Sequence, residues 1–156
     1  MSLRTAMTNA LLFRTLDAML GLPARDWSAS YFEIVTESEA SQAEARRKLE
    51  TARVQGTRLS LALDRYLGTY SHPVAGQAVL AQENGKLRLE LTDYRDVGGD
   101  CDHWHYDAFL CRWDRPGFGA SLMPFLLDGQ GNVESFRLTI REDWIDSMEY
   151  VFRRQP

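Results

Sequence analysis

Lys86-Leu87-Arg88-Leu89-Glu90-Leu91 alternates polar and apolar side chains without interruption. Successive side chains of a strand point to opposite faces of a sheet, so the alternation predicts a strand with one buried and one solvated face. Asn84-Gly85 stands directly before it, and this dipeptide is preferred in two-residue type I′ turns. Because the segment over residues 77–82 precedes the turn and can form the other strand, the sequence predicts a β-hairpin here.

Further strands are predicted at short intervals around this hairpin. Residues 122–127 and 133–140 flank the Gly-rich turn 128–132 and form a second hairpin. The set is completed by a last strand over 148–153, a first one over 67–70 and a long segment over 103–113. We therefore predict a mainly β fold, an antiparallel barrel of about seven or eight strands preceded by an N-terminal helical segment.

The first third of the chain has helical periodicity instead. Residues 9–20 carry leucines at helical spacing, with Gly21 placed as a stop, and Asp26 is suited to cap a second helix. From residue 37 to 53 charged side chains dominate, which is typical of a solvated helix. We divide the chain into a helix over 1–22, a charged helical linker over 23–58 and a barrel over 59–156.

Composition excludes several classes of protein. The 156 residues suffice for one domain with a substantial core, and the net charge of −4 comes from interleaved acids and bases without a basic stripe for nucleic acid. No apolar run approaches the roughly 18 residues that span a bilayer. Met1-Ser2-Leu3-Arg4 is not the start of a signal peptide. The sequence does not determine the cellular compartment, because the chain could be a piece of an exported protein.

Several motifs, taken in order, resemble one known family. They are the run over 63–73, Asn84-Gly85-Lys86-Leu87, and His103-Trp104-His105-Tyr106-Asp107 followed by Trp113. They resemble the lipocalin-like C-terminal domain of unknown function that is appended to serine β-lactamase-like and penicillin-binding-protein-like hydrolases. Residues 16–27 are similar to the last helix of the catalytic domain in those proteins.

The resemblance implies a module without catalysis of its own. The Ser-x-x-Lys, Tyr-x-Asn and Lys/His-x-Gly motifs of that family do not occur in this chain. The expected partner is the hydrolase domain of a parent chain, which would be periplasmic or extracellular if exported, and no cofactor is expected. The apolar stripe of residues 9–20 is then expected to pack on the barrel, on another molecule or in a homo-oligomer.

His103 and His105 are the strongest candidates for chemistry of their own. Two residues apart in a strand, they would share a face, and with Asp107 nearby they could bind zinc. The alternative is that they are framework residues, each donating a ring N–H to a buried partner. We favour framework because a third ligand at fixed spacing is missing. An acid/base pair of Asp102 with Asp107 is weaker still, since no nucleophile accompanies it.

The aromatic residues have two interpretations as well. Trp104, Tyr106 and Trp113, together with Tyr70, could line a cavity for one small apolar ligand, or could fill the barrel themselves. We favour filling, with a bulge near Asp107 or Ala108 to accommodate the imperfect alternation. On one continuous strand Cys101 and Cys111 would lie far apart, so two free thiols are expected.

Three functions are therefore predicted, in order of preference. The first is a non-catalytic accessory barrel that shapes active-site access, docks on a hydrolase domain or drives oligomerisation. The second is a lipocalin-like module that binds a small molecule or peptide. The third, an enzyme, would depend on His103, His105 and Asp107.

Overall fold

The structure, a computed structural model, describes residues 3–83, 85–95, 97–115, 118–140 and 148–156. These residues form two α-helices, a short 3-10 helix and eight β-strands, which confirms the predicted mainly β fold with a helical N-terminal segment. The chain divides into a helical unit that ends at Ala52 and a β unit that begins at Arg53. Among the described residues, no helix combines the length and apolar character needed to cross a bilayer.

The helical unit is an α-hairpin whose ends follow the predicted signals. Helix α1 spans Leu3–Met19 and helix α2 spans Trp27–Thr51. Gly21 has φ +65°, and the Leu22 N–H donates to the Asp17 carbonyl over 2.9 Å, the pattern of a Schellman motif. The Asp26 carboxylate caps α2 by accepting from the Ala29 N–H over 3.0 Å.

Little apolar surface is buried between the two helices. The rings of Phe13 and Trp27 stack with centroids 4.9 Å apart, and the indole N–H of Trp27 donates to Asp17 over 2.6 Å. In the described part of the helices only Ala6, Ala10 and Val35 are buried. The hairpin therefore has a very small core.

The β unit is a closed barrel in which every strand pairs with its sequence neighbours. The strands are β1 Gly68–His72, β2 Gly76–Glu83, β3 Lys86–Leu91, β4 Gly98–His105, β5 Ala108–Trp113, β6 Ala120–Leu127, β7 Val133–Ile140 and β8 Met148–Arg154. All neighbours are antiparallel, and β1 closes the barrel on β8. The predicted antiparallel barrel is thus confirmed.

Strand β3 has the residues predicted for it, and its leucines 87, 89 and 91 are buried as the alternation requires. Glu83 pairs with Lys86, so a two-residue loop joins β2 to β3. Gly85 has φ +79°, the conformation that a type I′ turn demands. The other turn residue, Asn84, lies outside the described residues.

The predicted long strand over 103–113 is wrong. The chain reverses at Tyr106 and Asp107, so that the segment supplies the end of β4 and all of β5. Tyr106 has φ +44°, a left-handed conformation that is uncommon for a residue other than glycine. The predicted bulge near Asp107 or Ala108 is replaced by this turn, and the pairing irregularity falls between His103 and His105.

The same reversal overturns the expectation of two free thiols. Cys101 and Cys111 are direct cross-strand partners on β4 and β5, their Cα atoms 3.9 Å apart, and they form a disulfide. The sulfur atoms are inside the barrel, since both residues are buried. The expectation failed because it placed both cysteines on one extended strand.

Aromatic rings occupy the barrel interior. Six of them are buried and in contact through centroid separations of 4.9–6.2 Å: Tyr66, Tyr70, Phe109, Phe125, Phe136 and Phe152. Most of these pairs meet edge to face, the arrangement that ring quadrupoles favour. Buried leucines from β2, β3 and β7 surround them.

Candidate functional site

The carboxylate of Asp107, in the turn between β4 and β5, is a hydrogen-bond hub. Its Oδ1 accepts from the Tyr66 hydroxyl over 2.5 Å and from the Ser60 N–H over 2.8 Å. Its Oδ2 accepts from the Ser60 hydroxyl over 2.7 Å. Three donors from the chain that leads into β1 thus converge on one side chain.

These contacts change the acidity of both ionisable partners. Burial alone would raise the pKa of the Asp107 carboxyl, but the hydrogen bonds from Tyr66 and Ser60 stabilise the carboxylate and leave the pKa below its usual value. Burial, followed by the bond to Asp107, raises the pKa of the Tyr66 phenol well above its ordinary range. At neutral pH Asp107 is therefore an anion and Tyr66 a neutral donor.

The turn also holds the residues that directly follow the helical unit. The Nε–H of Arg53 donates to the Trp104 carbonyl over 2.9 Å, and its guanidinium lies 4.4 Å from the Trp104 ring centroid. The Tyr106 N–H donates to the Thr57 hydroxyl over 2.9 Å. We call this whole arrangement the anchoring site; it comprises Arg53, Val54, Thr57, Ser60 and Tyr66 on one side and Trp104, His105, Tyr106 and Asp107 on the other.

Both candidate histidines make framework hydrogen bonds. Nδ1 of His105 accepts from the Val54 N–H over 3.2 Å. Nε2 of His103 lies 2.8 Å from the Tyr106 carbonyl, to which it donates, and thereby braces the turn. Among the residues that the structure describes, no three His, Cys, Asp or Glu side chains are grouped so as to hold a metal ion.

The two candidate tryptophans differ in how their indole N–H groups are satisfied. Trp113 lies in the barrel core and donates to the Ser121 hydroxyl over 2.8 Å, and Ser121 donates in turn to the Thr139 carbonyl over 2.6 Å. Trp104 is 7% exposed and lies outside that core, and its Nε1 has no partner among the described atoms. Buried polar groups are rarely left in this state.

Tyr70 and Tyr106 have opposite environments. Tyr70 is fully buried in the core, and its hydroxyl donates to the Tyr66 carbonyl over 2.8 Å. Burial raises the pKa of Tyr70 to about 12, although the charge of Arg154 works against this shift. Tyr106 is 57% exposed at the turn.

The structure thus brings five of the seven predicted site residues, those numbered 103 to 107, together at one turn. Trp113 and Tyr70 belong to the barrel core instead. The partners on the incoming chain were missed, namely Arg53, Thr57 and Ser60. They belong to no motif, and only Tyr66 stood in a stretch that had been singled out.

One comparison with known proteins gave a match. The profile of a family described as a domain of unknown function, DUF3471, matches residues 52–154. That range contains the whole anchoring site, which begins at Arg53, and all eight strands. Searches of curated proteins and of solved structures found no match.

Proposed function

Because the chain belongs to the DUF3471 family of domains of unknown function, we propose that its barrel is a non-catalytic accessory domain of a β-lactamase-like serine hydrolase. Its task would be to shape access to the active site of the hydrolase or to dock on the hydrolase domain. The parent enzyme is inferred from the resemblance of the sequence motifs, and the role of the barrel is inferred from the anchoring site.

The observation that carries the proposal is that Asp107, His103 and His105 are already engaged in hydrogen bonds within the chain. A general base works best with a pKa near the working pH and a free lone pair aimed at substrate. Asp107 has a lowered pKa, and three donors already occupy its oxygens. His103 and His105 likewise bond to backbone groups. Asp107 and His105 hold the incoming chain and His103 braces the turn, which are structural tasks.

An anchored incoming chain suits an appended domain. Segments between domains are commonly flexible, which leaves domain orientation undefined. Here Arg53, Thr57 and Ser60 each form a hydrogen bond to residues 104–107 at the end of β4 and the turn that follows it. The segment that leads into β1 is therefore attached to the barrel at defined points. Pre-organisation of this kind lowers the entropy cost of presenting the barrel to a neighbouring domain.

The packed interior supports this role over that of a small-molecule binder. Eight-stranded barrels have room either for their own side chains or for one small ligand. Six buried rings in mutual contact occupy the interior here. An accessory domain that acts through its outer surface requires no internal site.

The proposal is tested on the purified chain and on its gene. We expect the chain neither to hydrolyse a chromogenic cephalosporin nor to be labelled by a fluorophosphonate probe. The natural reading frame should encode Ser-x-x-Lys and Tyr-x-Asn upstream of Met1. Hydrolysis that disappears in Asp107→Ala but persists in Glu134→Ala would overturn the proposal, as would a natural frame without these motifs.

A further inference from the structure

Helix α1 presents large apolar side chains to solvent along its whole length. Six side chains of the helix, and Leu20 directly after it, are between 40% and 78% exposed: Leu3, Met7, Leu11, Leu12, Leu16, Met19 and Leu20. We call these residues the α1 apolar surface. The inference drawn from them concerns the helical unit and goes beyond the function proposed for the barrel.

The hairpin cannot cover this surface itself. Its only buried residues in the described part of the two helices are Ala6, Ala10 and Val35. Most of the stability of a helix in a protein comes from packing its apolar side, and a helix that is apolar around most of its circumference is normally enclosed by neighbours. The α1 apolar surface therefore calls for a partner.

The apolar area is large enough for a helix interface, but it does not all face one partner. The seven side chains together expose on the order of 700 Å² spread around most of the helix circumference, whereas a standard interface buries roughly 800 Å² per partner on one face. One row of these side chains suits helix packing. Leu3, Met7 and Leu11 form one row of residues four apart, and such rows are the ridges that fit the grooves of another helix.

The charges of the two helices are complementary between copies. Helix α1 carries Arg4 and Arg14, both exposed, and neither forms an ion pair with a residue that the structure describes. Helix α2 carries four glutamates and no basic residue over 27–45. In a two-fold dimer each contact between two surfaces occurs twice, so the α1 of each copy can meet the α2 of the other.

We infer that the chain forms a two-fold dimer in which the α1 apolar surface packs against the helical hairpin of a second copy. The row Leu3, Met7 and Leu11 is then buried between the two copies, and Arg4 and Arg14, which flank this row, face the glutamates of the partner. A single hairpin supplies both halves of this interface. That self-complementarity favours a second copy over an unrelated protein.

The first test measures the mass of the full chain in solution by sedimentation velocity and light scattering, from low to high micromolar concentration. We expect a dimer. Met7→Glu combined with Leu11→Glu should give a monomer, because both side chains are more than 60% exposed and the change leaves the barrel intact. Val74→Glu, which replaces an apolar side chain 80% exposed in the barrel unit, is the matched control and should remain dimeric.

A second test exchanges charges to show whether a second copy of the chain covers the α1 apolar surface. Arg4→Glu with Arg14→Glu should weaken self-association at least about tenfold, and adding Glu33→Arg and Glu37→Arg should restore it. A wild-type chain that is monomeric at every concentration overturns the inference, as does a Met7→Glu/Leu11→Glu chain that still dimerises. A monomer that captures a separately produced hydrolase domain through α1 would assign the surface to the parent enzyme and overturn the inference as well.

Discussion

Cys101 and Cys111 face each other across β4 and β5, and their disulfide closes the hairpin that carries the anchoring site at its turn. Between the disulfide and the turn the pairing is irregular, with a register shift between His103 and His105. The covalent link therefore limits how far the two strands can separate below the turn.

Replacing both cysteines by alanine should lower the free energy of unfolding by about 2–3 kcal/mol, because a ten-residue loop is no longer closed in the unfolded chain. Urea titration followed by tryptophan fluorescence measures this. Wild-type protein that is reduced while unfolded and then refolded without oxidant should have the same urea midpoint as the double-alanine variant. Alkylation of the urea-unfolded chain without reduction should add no label to either sulfur; two labels would show free thiols and contradict the disulfide.

Asp107→Ala should be strongly destabilising. It leaves the buried Tyr66 hydroxyl and the Ser60 N–H without their acceptor, a loss of about 2–4 kcal/mol. The control is Glu134→Ala, which removes an exposed ion pair with Arg153 and should cost less than about 1 kcal/mol. Denaturant titration measures the free energy of unfolding of both variants. Equal losses would show that the hydrogen bonds to Asp107 do not stabilise the fold.

The barrel should lose stability at alkaline pH. The pKa of Tyr70 is raised to about 12 in the folded chain from its ordinary value near 10, so the folded state retains the proton more tightly than the unfolded state. Its contribution is complete below pH 10 and is lost as pH rises toward 12, up to about 2–3 kcal/mol at 1.36 kcal/mol per pKa unit. The raised pKa of Tyr66 acts in the same direction.

The measurement is the urea midpoint between pH 8 and the alkaline range just short of chemical damage. Tyr70→Phe should flatten the decline, although it also removes the bond to the Tyr66 carbonyl and is less stable at neutral pH. A midpoint that is constant above pH 10 would be incompatible with a buried, protonated Tyr70.

The two tryptophans should respond differently to the same substitution. Trp113→Phe leaves Ser121 without its donor and should cost about 1–3 kcal/mol beyond the loss of ring area. Trp104→Phe removes an N–H that has no partner among the described atoms, so the lost ring contact is partly offset. Thermal unfolding of both variants tests the difference; a larger loss for Trp104→Phe would mean that its indole N–H is bonded.

The sequence predicted the barrel strands best where the signal is local. The alternation of Leu87, Leu89 and Leu91 beside Gly85 defined β3 and the turn before it, because a short window contains both the pattern and the turn residue. The turn at Tyr106 and Asp107 was missed because neither residue is a glycine or asparagine. Its conformation is stabilised by bonds to Thr57 and Ser60, which are 49 and 47 residues away in sequence and fall in no local window.

Residues 103–107 were singled out from the sequence, and the framework role that the sequence favours for the two histidines stays a prediction. The cluster of residues 103–107 stands out in the sequence for its histidines and aspartates, which suggest metal or acid–base chemistry. Whether such groups are free or bonded depends on residues from another part of the chain. Val54, whose backbone N–H donates to His105, has no side-chain property that would have indicated this role.

The barrel is closed by a short pairing between β1 and β8. Strand β8 meets β1 at only two residue pairs, Tyr70 with Arg154 and Ser71 with Arg153, whereas β2 and β3 share six. On the ribosome, the seven earlier strands emerge before β8, and a sheet formed by those seven strands would have unpaired edges at β1 and β7. Such an edge can recruit a strand from another nascent chain. Synthesis of the last residues of β8 is thus the event that converts an association-prone sheet into a sealed domain.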